Sequence, residues 1–318
     1  MNNFSLGRAA NLAPSGIASF AKCDICTDLN SLQAYFAVLG APCDIAIQGR
    51  SGARLGPRGI RLASTRFSYK PGGSYDPERN RSFMDSARVK VLDCGDADYV
   101  PGDLEATFAN ISAAVKIIAS KGAIPVVLGG DHSISYPVLT GLAAQGHFNI
   151  IHFDSHLDWT RSVGGQGQSN GSPMRLASAL PQVKKILHLG VRGIGSSGPD
   201  DFEDARKNGD QIYSVKQVRK EGLMRILEGW AASGEAVFVT LDIDAMDYSI
   251  AAGTGSPMFG GFLYDEMVDM LEAVAGRYKV KAFDLVEVSP PYDDPGGTTC
   301  YLAARLISDF MGFISAPR

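Results

Sequence analysis

Residues 149–158 read Asn-Ile-Ile-His-Phe-Asp-Ser-His-Leu-Asp, a short apolar run that breaks into Asp154, His156 and Asp158. A run this short and rich in β-branched residues predicts a strand buried on both faces, as in a parallel sheet. Its polar residues then stand at the carboxyl end, where ligands of open parallel sheets bind. Working outward, residues 89–93, 124–128, 149–154, 185–189, 236–242 and 280–286 all read as strands of this kind. Helical periodicity fills the gaps between them. It is clearest over 104–121, where Leu104, Phe108, Ile111, Val115 and Ile118 form one stripe between a capping Asp103 and a terminal Gly122. Further helices fit 136–144, 218–232, 264–276 and 298–313. Alternation of strand and helix along one chain predicts right-handed crossovers and a single α/β domain, its parallel central sheet flanked by helices. We place that domain at 36–318, after an N-terminal segment at 1–35.

Composition narrows the function classes. With 45% hydrophobic residues the chain has material for a large core, which excludes global disorder. Thirty basic residues against 34 acidic ones leave a net charge of −4 and no basic block, so nucleic-acid and anionic-membrane partners are disfavoured. No apolar run approaches the ~20 residues of a spanning helix, and the first twenty residues break at Pro14 and Gly16, unlike a signal peptide. An odd count of five cysteines suits reduced thiols in a cytoplasm. Cys23 and Cys26 form a lone CxxC, which we read as two chance thiols.

Chemistry concentrates at four strand ends. One is Gly129-Gly130-Asp131-His132-Ser133; another is the Asp154–His156–Asp158 series; a third is Asp242-Ile243-Asp244; the last is Asp284-Leu285-Val286-Glu287. A spacing of two in extended backbone would project Asp154, His156 and Asp158 to one side, and Asp242 with Asp244 likewise. Carboxylates and imidazoles converging on a sheet edge are costly without a counter-charge, and a cation supplies it. Two histidines and four carboxylates exceed one zinc site. They suit two divalent cations sharing carboxylates.

The sequence resembles the ureohydrolase (arginase/agmatinase) family from about residue 40 onward. The resemblance rests on Gly40-Ala41-Pro42-Cys43-Asp44, on GARLGPRGIR at 52–61 and on Asp93-Cys94-Gly95-Asp96, together with the strand-end clusters. Gly253-Thr254-Gly255-Ser256-Pro257 and Glu287-Val288-Ser289-Pro290-Pro291-Tyr292-Asp293 complete it. It implies His132, Asp154, His156, Asp158, Asp242 and Asp244 as ligands of two manganese or nickel ions, Asp154 and Asp242 being shared. It also implies Glu287 as the carboxylate that holds a small cationic guanidino substrate, hydrolysed to urea and an amine. Agmatine or a guanidino acid is the implied substrate class, and the 52–61 stretch favours these over arginine. The family forms trimers or hexamers, so a homo- or hetero-oligomer is implied. Deacetylases of the same broad fold use one zinc, which the doubled acidic motifs disfavour.

Two positions depart from the family. Ser155 stands where alanine is usual and adds one hydroxyl. Asn170, in Gln168-Ser169-Asn170-Gly171-Ser172, stands where most members carry a histidine. An amide cannot titrate near pH 7, so proton delivery to the leaving amine falls to Asp158 or to a bound water. The change also admits an unusual substrate, such as free guanidine or a biguanide like metformin with nickel. A non-catalytic subunit of a hetero-oligomer is the remaining alternative, and the complete ligand set argues against it. The Gly193-x-Gly195-x-x-Gly198 run has a dinucleotide-like context, but the following strand at 211–215 ends without an acid for ribose. It reads as a substrate loop, matching the family's variable loop. His188 reads as a core histidine, His147 as a loop residue, and His152 as a neighbour of the ligand cluster.

Overall fold

The computed structural model describes residues 12–195 and 197–316. Residues 1–11 of the N-terminal segment, residue 196 within the Gly193–Gly198 run and residues 317–318 lie outside the description. The strands are β1 (Asp24–Ile25), β2 (Phe36–Ala41), β3 (Ser74–Asp76), β4 (Arg81–Phe83), β5 (Val91–Asp96) and β6 (Ile124–Gly129). They continue as β7 (Phe148–Phe153), β8 (Val183–Leu189), β9 (Gln211–Tyr213), β10 (Ala236–Asp242) and β11 (Lys279–Val286). The helices are α1 (Gly56–Ser64), α2 (Leu104–Ser120), α3 (Ser135–Gly141), α4 (Pro173–Ser178) and α5 (Pro199–Lys207). Then come α6 (Val215–Glu221), α7 (Leu223–Trp230), α8 (Tyr264–Arg277) and α9 (Thr298–Ser315).

Nine strands form one sheet in the order β1-β5-β2-β6-β11-β10-β7-β8-β9, and every neighbouring pair is parallel. The chain leaves β6, crosses to β7 and runs outward, then returns to insert β10 and β11 between them. The carboxyl ends of β6, β11, β10 and β7 thus lie side by side at the switch in strand order, where parallel sheets open a crevice. Alternation along each strand feeds two cores. Ile151, Phe153, Val239 and Leu241 face one layer with α8 and α9 residues such as Leu271 and Phe310, while Ile150 and Phe238 face the other with Val115 and Val138. No described helix is long and apolar enough to cross a membrane.

Several local expectations need correction. The six-residue β2 is wholly buried beside β5 and β6, yet it holds one β-branched residue and was not expected as a strand. Its position in the sheet overrides its weak propensity. The single helix expected over 218–232 is two helices, α6 and α7, parted at Gly222, whose φ is +79°. Ser214 and Gln217 start α6 with reciprocal side-chain to backbone bonds, which moves the helix start back to Val215. The expected caps of α2 hold: Asp103 accepts from Ala106 N at 2.9 Å, and Gly122 follows the last turn with φ +77°.

Candidate metal centre

Motifs around the crevice separate into scaffold and site. Asp44 is buried and accepts from Gly52 N at 2.7 Å and from Arg54, which clamps the 40–44 segment onto the 52–61 segment. Arg61 is likewise buried and paired bidentately with Asp93 at 2.9 and 3.0 Å, with Asp96 as a further partner. Gly130 passes so close to Cys43 that a Cβ there would fall 1.8 Å from its carbonyl oxygen, and only glycine tolerates the approach.

The six expected ligands converge. His132 lies in the turn after β6, Asp154, His156 and Asp158 follow β7, Asp242 ends β10, and Asp244 sits in the turn after it. His132 Nδ1 stands 3.0 Å from Asp154 Oδ2, 2.9 Å from Asp158 Oδ2 and 3.3 Å from Asp242 Oδ2. His156 Nδ1 stands 3.4 Å from Asp154 Oδ1 and 3.1 Å from Asp244 Oδ2. Asp154 therefore presents one oxygen to each imidazole and joins the two groups.

The route to convergence differs from the expected one. Strand β7 ends at Phe153, so residues 154–158 are a loop rather than an extended run, and Asp158 reaches the cluster from a left-handed backbone with φ +54°. Asp242 and Asp244 meet through a tight turn in which Asp244 N donates to Asp242 Oδ1 at 2.8 Å. Glu287 also adopts a positive φ, +63°. Left-handed non-glycine residues cost of order 1–3 kcal/mol each and concentrate at functional sites.

Beneath the cluster, register alignment builds a polar row that sequence patterning could not order. His188, His152, Thr240 and Asp284 are direct neighbours across β8, β7, β10 and β11. All four are buried. His132 Nε2 bonds Thr240 Oγ1 at 2.9 Å, which leaves Nδ1 turned toward the carboxylates. His152 Nε2 meets Asp154 Oδ2 at 2.8 Å, and His152 Nδ1 meets His188 Nδ1 at 2.8 Å. His188 is a satisfied core histidine, bonded also to Asp210 at 3.4 Å. Ser135 Oγ donates to Asp284 Oδ2 at 2.6 Å. One signal existed in the sequence: single polar residues inside otherwise apolar strands.

Charge at this site calls for a cation. Burial pushes Asp158 up to about 6, helped by Asp154, and pushes Asp242 well above the carboxylate range, helped by Asp244 and Asp154. Burial works against charge on His132 too, yet Asp158, Asp154 and Asp242 hold its pKa well above normal. His132 Nδ1 and Asp158 Oδ2 are nonetheless buried without a hydrogen-bond partner among the described residues. Two ligand atoms about 2.1 Å from a divalent cation, at right angles, stand about 3 Å apart. The observed separations match that spacing. Two groups, His132–His152–Asp154–Asp158 and Asp154–His156–Asp244, bring potential ligand atoms close enough to hold an ion each. His152 is drawn into the first group, and its Nε2 is already committed to Asp154.

At the rim, Glu287 Oε1 accepts from His132 N at 2.9 Å and from Asn170 Nδ2 at 3.3 Å. Burial and the charge of Asp131 push Glu287 up to about 8. Ser155 supplies the hydroxyl expected of it, 3.2 Å from His156 Nδ1. Cys23 and Cys26 are unpaired thiols away from this cluster.

Comparison with known proteins agrees with this architecture. The arginase family model matches residues 34–312. A human protein named guanidino acid hydrolase, mitochondrial, is 31% identical over 303 residues, covering 94% of this chain and 83% of its own. An agmatinase of Bacillus subtilis is 32% identical over 280 residues, covering 86% and 90% respectively. Among solved structures, a proclavaminate amidino hydrolase from Streptomyces clavuligerus superposes with a TM-score of 0.80 at 25% identity, covering 95% of this chain and 98% of that one. With the match running from β2 through most of α9, the chain belongs to the arginase family, in its agmatinase-like ureohydrolase branch.

Proposed function

We propose that this chain hydrolyses a C–N bond of a small guanidino compound to give urea and an amine, with two divalent cations held by the cluster. His132, Asp154, Asp158 and Asp242 would hold one cation; His156, Asp154, Asp242 and Asp244 would hold the other. The observation that carries the reading is Asp154 reaching both imidazole groups, with a buried glutamate at the rim. Two cations there supply the Lewis acidity that makes water nucleophilic near pH 7. The oxygen-rich donor set suits manganese, and nickel is the second candidate.

The chain's own groups position and protonate the substrate. A planar guanidinium offers paired N–H donors, and Glu287 is the acceptor that its positive charge would ionise. Asn170 Oδ1 is buried without a partner among the described residues, so it adds an acceptor beside Glu287. We assign to Asp158, in place of the amide of Asn170 that cannot titrate near pH 7, receipt of the proton of the attacking water and its transfer to the leaving amine. Oligomers of three or six chains, in a reducing cytoplasm suited to five free thiols, complete the reading.

The test is metal content together with urea release across agmatine, guanidino acids, guanidine and metformin, using manganese- and nickel-loaded protein. Asp154→Asn should lose bound metal and all turnover. Full activity in that variant would end the two-cation assignment, and a wild-type protein that binds metal yet releases no urea would favour a non-catalytic subunit.

A further inference from the structure

Beside His156 the molecule holds a second feature, a cavity of about 500 Å³ between the β8–α5 loop and the α5–β9–α6 segment. The side chain of His156 is 19% exposed and lines this cavity, so the space adjoins the proposed cation site. Its other polar lining comes from Ser155, Arg192, Ser197, Arg206, Ser214 and Gln217; no carboxylate lines it among the described residues.

The two guanidinium groups are arranged differently. Arg192 is locked, donating to the carbonyls of Gly190, Asp244, Met246, Met258 and Phe259 at 2.7–3.2 Å. Arg206 is exposed, lies over the Phe202 ring at 5.7 Å and has no ion-pair partner among the described residues. Three of the four acids of its own helix are engaged with other groups, and the fourth, Asp200, stands in the first turn and does not line the cavity. Asp204 binds Arg161 at 2.9 Å, Glu203 binds Lys207 at 2.8 Å, and Asp201 accepts from Gly198 N at 3.1 Å. Ser197 Oγ is buried without a partner among the described residues, a further unused polar group in the lining.

We infer that this cavity receives the tail of the substrate and that Arg206 selects a carboxylate there, which makes the preferred substrates guanidino acids. The inference deepens the hydrolase reading above and rests on it. A guanidinium held at Glu287 leaves the rest of the substrate to extend past the imidazoles. An ammonium tail would enter a space that offers two guanidinium charges and, among the described residues, no lining carboxylate. A carboxylate meets an uncommitted guanidinium able to donate two parallel N–H bonds, and the side-chain amide of Gln217, whose oxygen is taken up by Ser214, also lines the cavity. Free guanidine has no tail and gains nothing from this space.

The experiment measures kcat/KM for 3-guanidinopropionate, 4-guanidinobutyrate, agmatine and guanidine with manganese-loaded wild type and Arg206→Gln. Calorimetry with 4-aminobutyrate, which carries the anionic tail but cannot be hydrolysed, gives a readout independent of turnover. We expect a guanidino acid to exceed agmatine in wild type. In Arg206→Gln, the ratio of guanidino-acid to guanidine efficiency should fall roughly tenfold, mainly through KM, as the solvent-exposed charge-assisted pair is lost. Binding of 4-aminobutyrate should weaken in parallel and recover in part in Arg206→Lys. Preference of the wild type for agmatine, or an unchanged ratio and unchanged calorimetry in Arg206→Gln, would overturn the subsite while leaving the hydrolase reading intact. Absence of urea from every compound, with Arg206-dependent binding of 4-aminobutyrate retained, would remove the hydrolase reading and uphold the anion subsite.

Discussion

Asn170 Nδ2 donates to Glu287 Oε1 across 3.3 Å, tying the loop before α4 to the residue that follows the last strand. The amide thereby fixes the carboxylate proposed to hold the guanidinium, and it does so without a titrating group. In Asn170→His the ring is bulkier and able to carry a proton, so both pocket shape and leaving-group chemistry change. We expect both metals to remain bound, turnover of the best substrate to drop about tenfold, and a new pH dependence near the imidazole pKa of about 6.5. Substrate and pH profiles matching those of wild type would show Asn170 to be a neutral replacement.

Glu287→Gln keeps the size of the side chain and removes its charge. The carboxylate contacts His132 only through that residue's backbone N–H, at 2.9 Å, and is not a proposed ligand. Catalytic efficiency should fall by at least about a hundredfold, since a charge-assisted pair contributes roughly 1.5–3 kcal/mol and its loss also misplaces the reacting carbon. Metal content by elemental analysis should stay near wild type. Loss of both metals would reassign Glu287 to the ligand set.

What was legible in the sequence was chemistry at strand ends. Asp154, His156 and Asp158 could be read because an apolar run stops abruptly at them, and the crossover rule places such ends on one edge of the sheet. Extended alternation is not what brings these side chains together: the left-handed Asp158 and the turn at Asp244 do the folding-back. Thr240, Asp284 and His188 support the ligands only through strand register, and register depends on which strands become neighbours. Chain order says nothing of β11 inserting beside β6. Arg206 was invisible for the same reason: an exposed arginine on a charged helix gains meaning only from the cavity it faces.

Arg61 is a test of the scaffold rather than the site. Its guanidinium, with a side chain only 11% exposed, holds Asp93, whose Oδ2 also accepts from Phe20 N at 2.7 Å. Arg61→Met would leave Asp93 buried and short of its counter-ion, a change that costs about 3–5 kcal/mol when one partner of a buried pair is removed. The denaturation midpoint should fall accordingly, with KM for substrate in the surviving folded fraction unchanged. Wild-type stability in this variant would show that the pair is dispensable.

Metal-free protein should lose stability as pH rises. Glu287, Asp131 and Asp158 are pushed up to about 8, 7 and 6 by burial, against ordinary values of 4.5 for glutamate and 3.8 for aspartate. Raised carboxyls bind more protons folded than unfolded between the ordinary and the raised values, so folding stability falls as pH climbs through that window. Two imidazoles act in the same direction: against the cost of burial, carboxylates raise His132 (Asp158, Asp154 and Asp242) and His156 (Asp244 and Asp154), and stability from a raised histidine is lost as pH rises. Burial lowers His152 to about 3, so it opposes this trend, but only up to its ordinary value of 6.5, and the raised carboxyls outnumber it. Asp154 alone among these ligands is shifted the other way. Although burial opposes it, His152, His132 and His156 hold it well below the usual range, so its contribution is lost only in strong acid. After chelation, the melting temperature should therefore decline between about pH 5 and pH 8, by roughly 5 °C or more. Added manganese should restore most of the loss at the upper end, where the carboxylates are ionised and fewer protons compete with the cation for the ligands. Glu287→Gln should flatten the metal-free curve between about pH 5 and pH 8. A metal-free melting temperature that rises across that range would contradict a site whose carboxylates lack sufficient positive charge of their own.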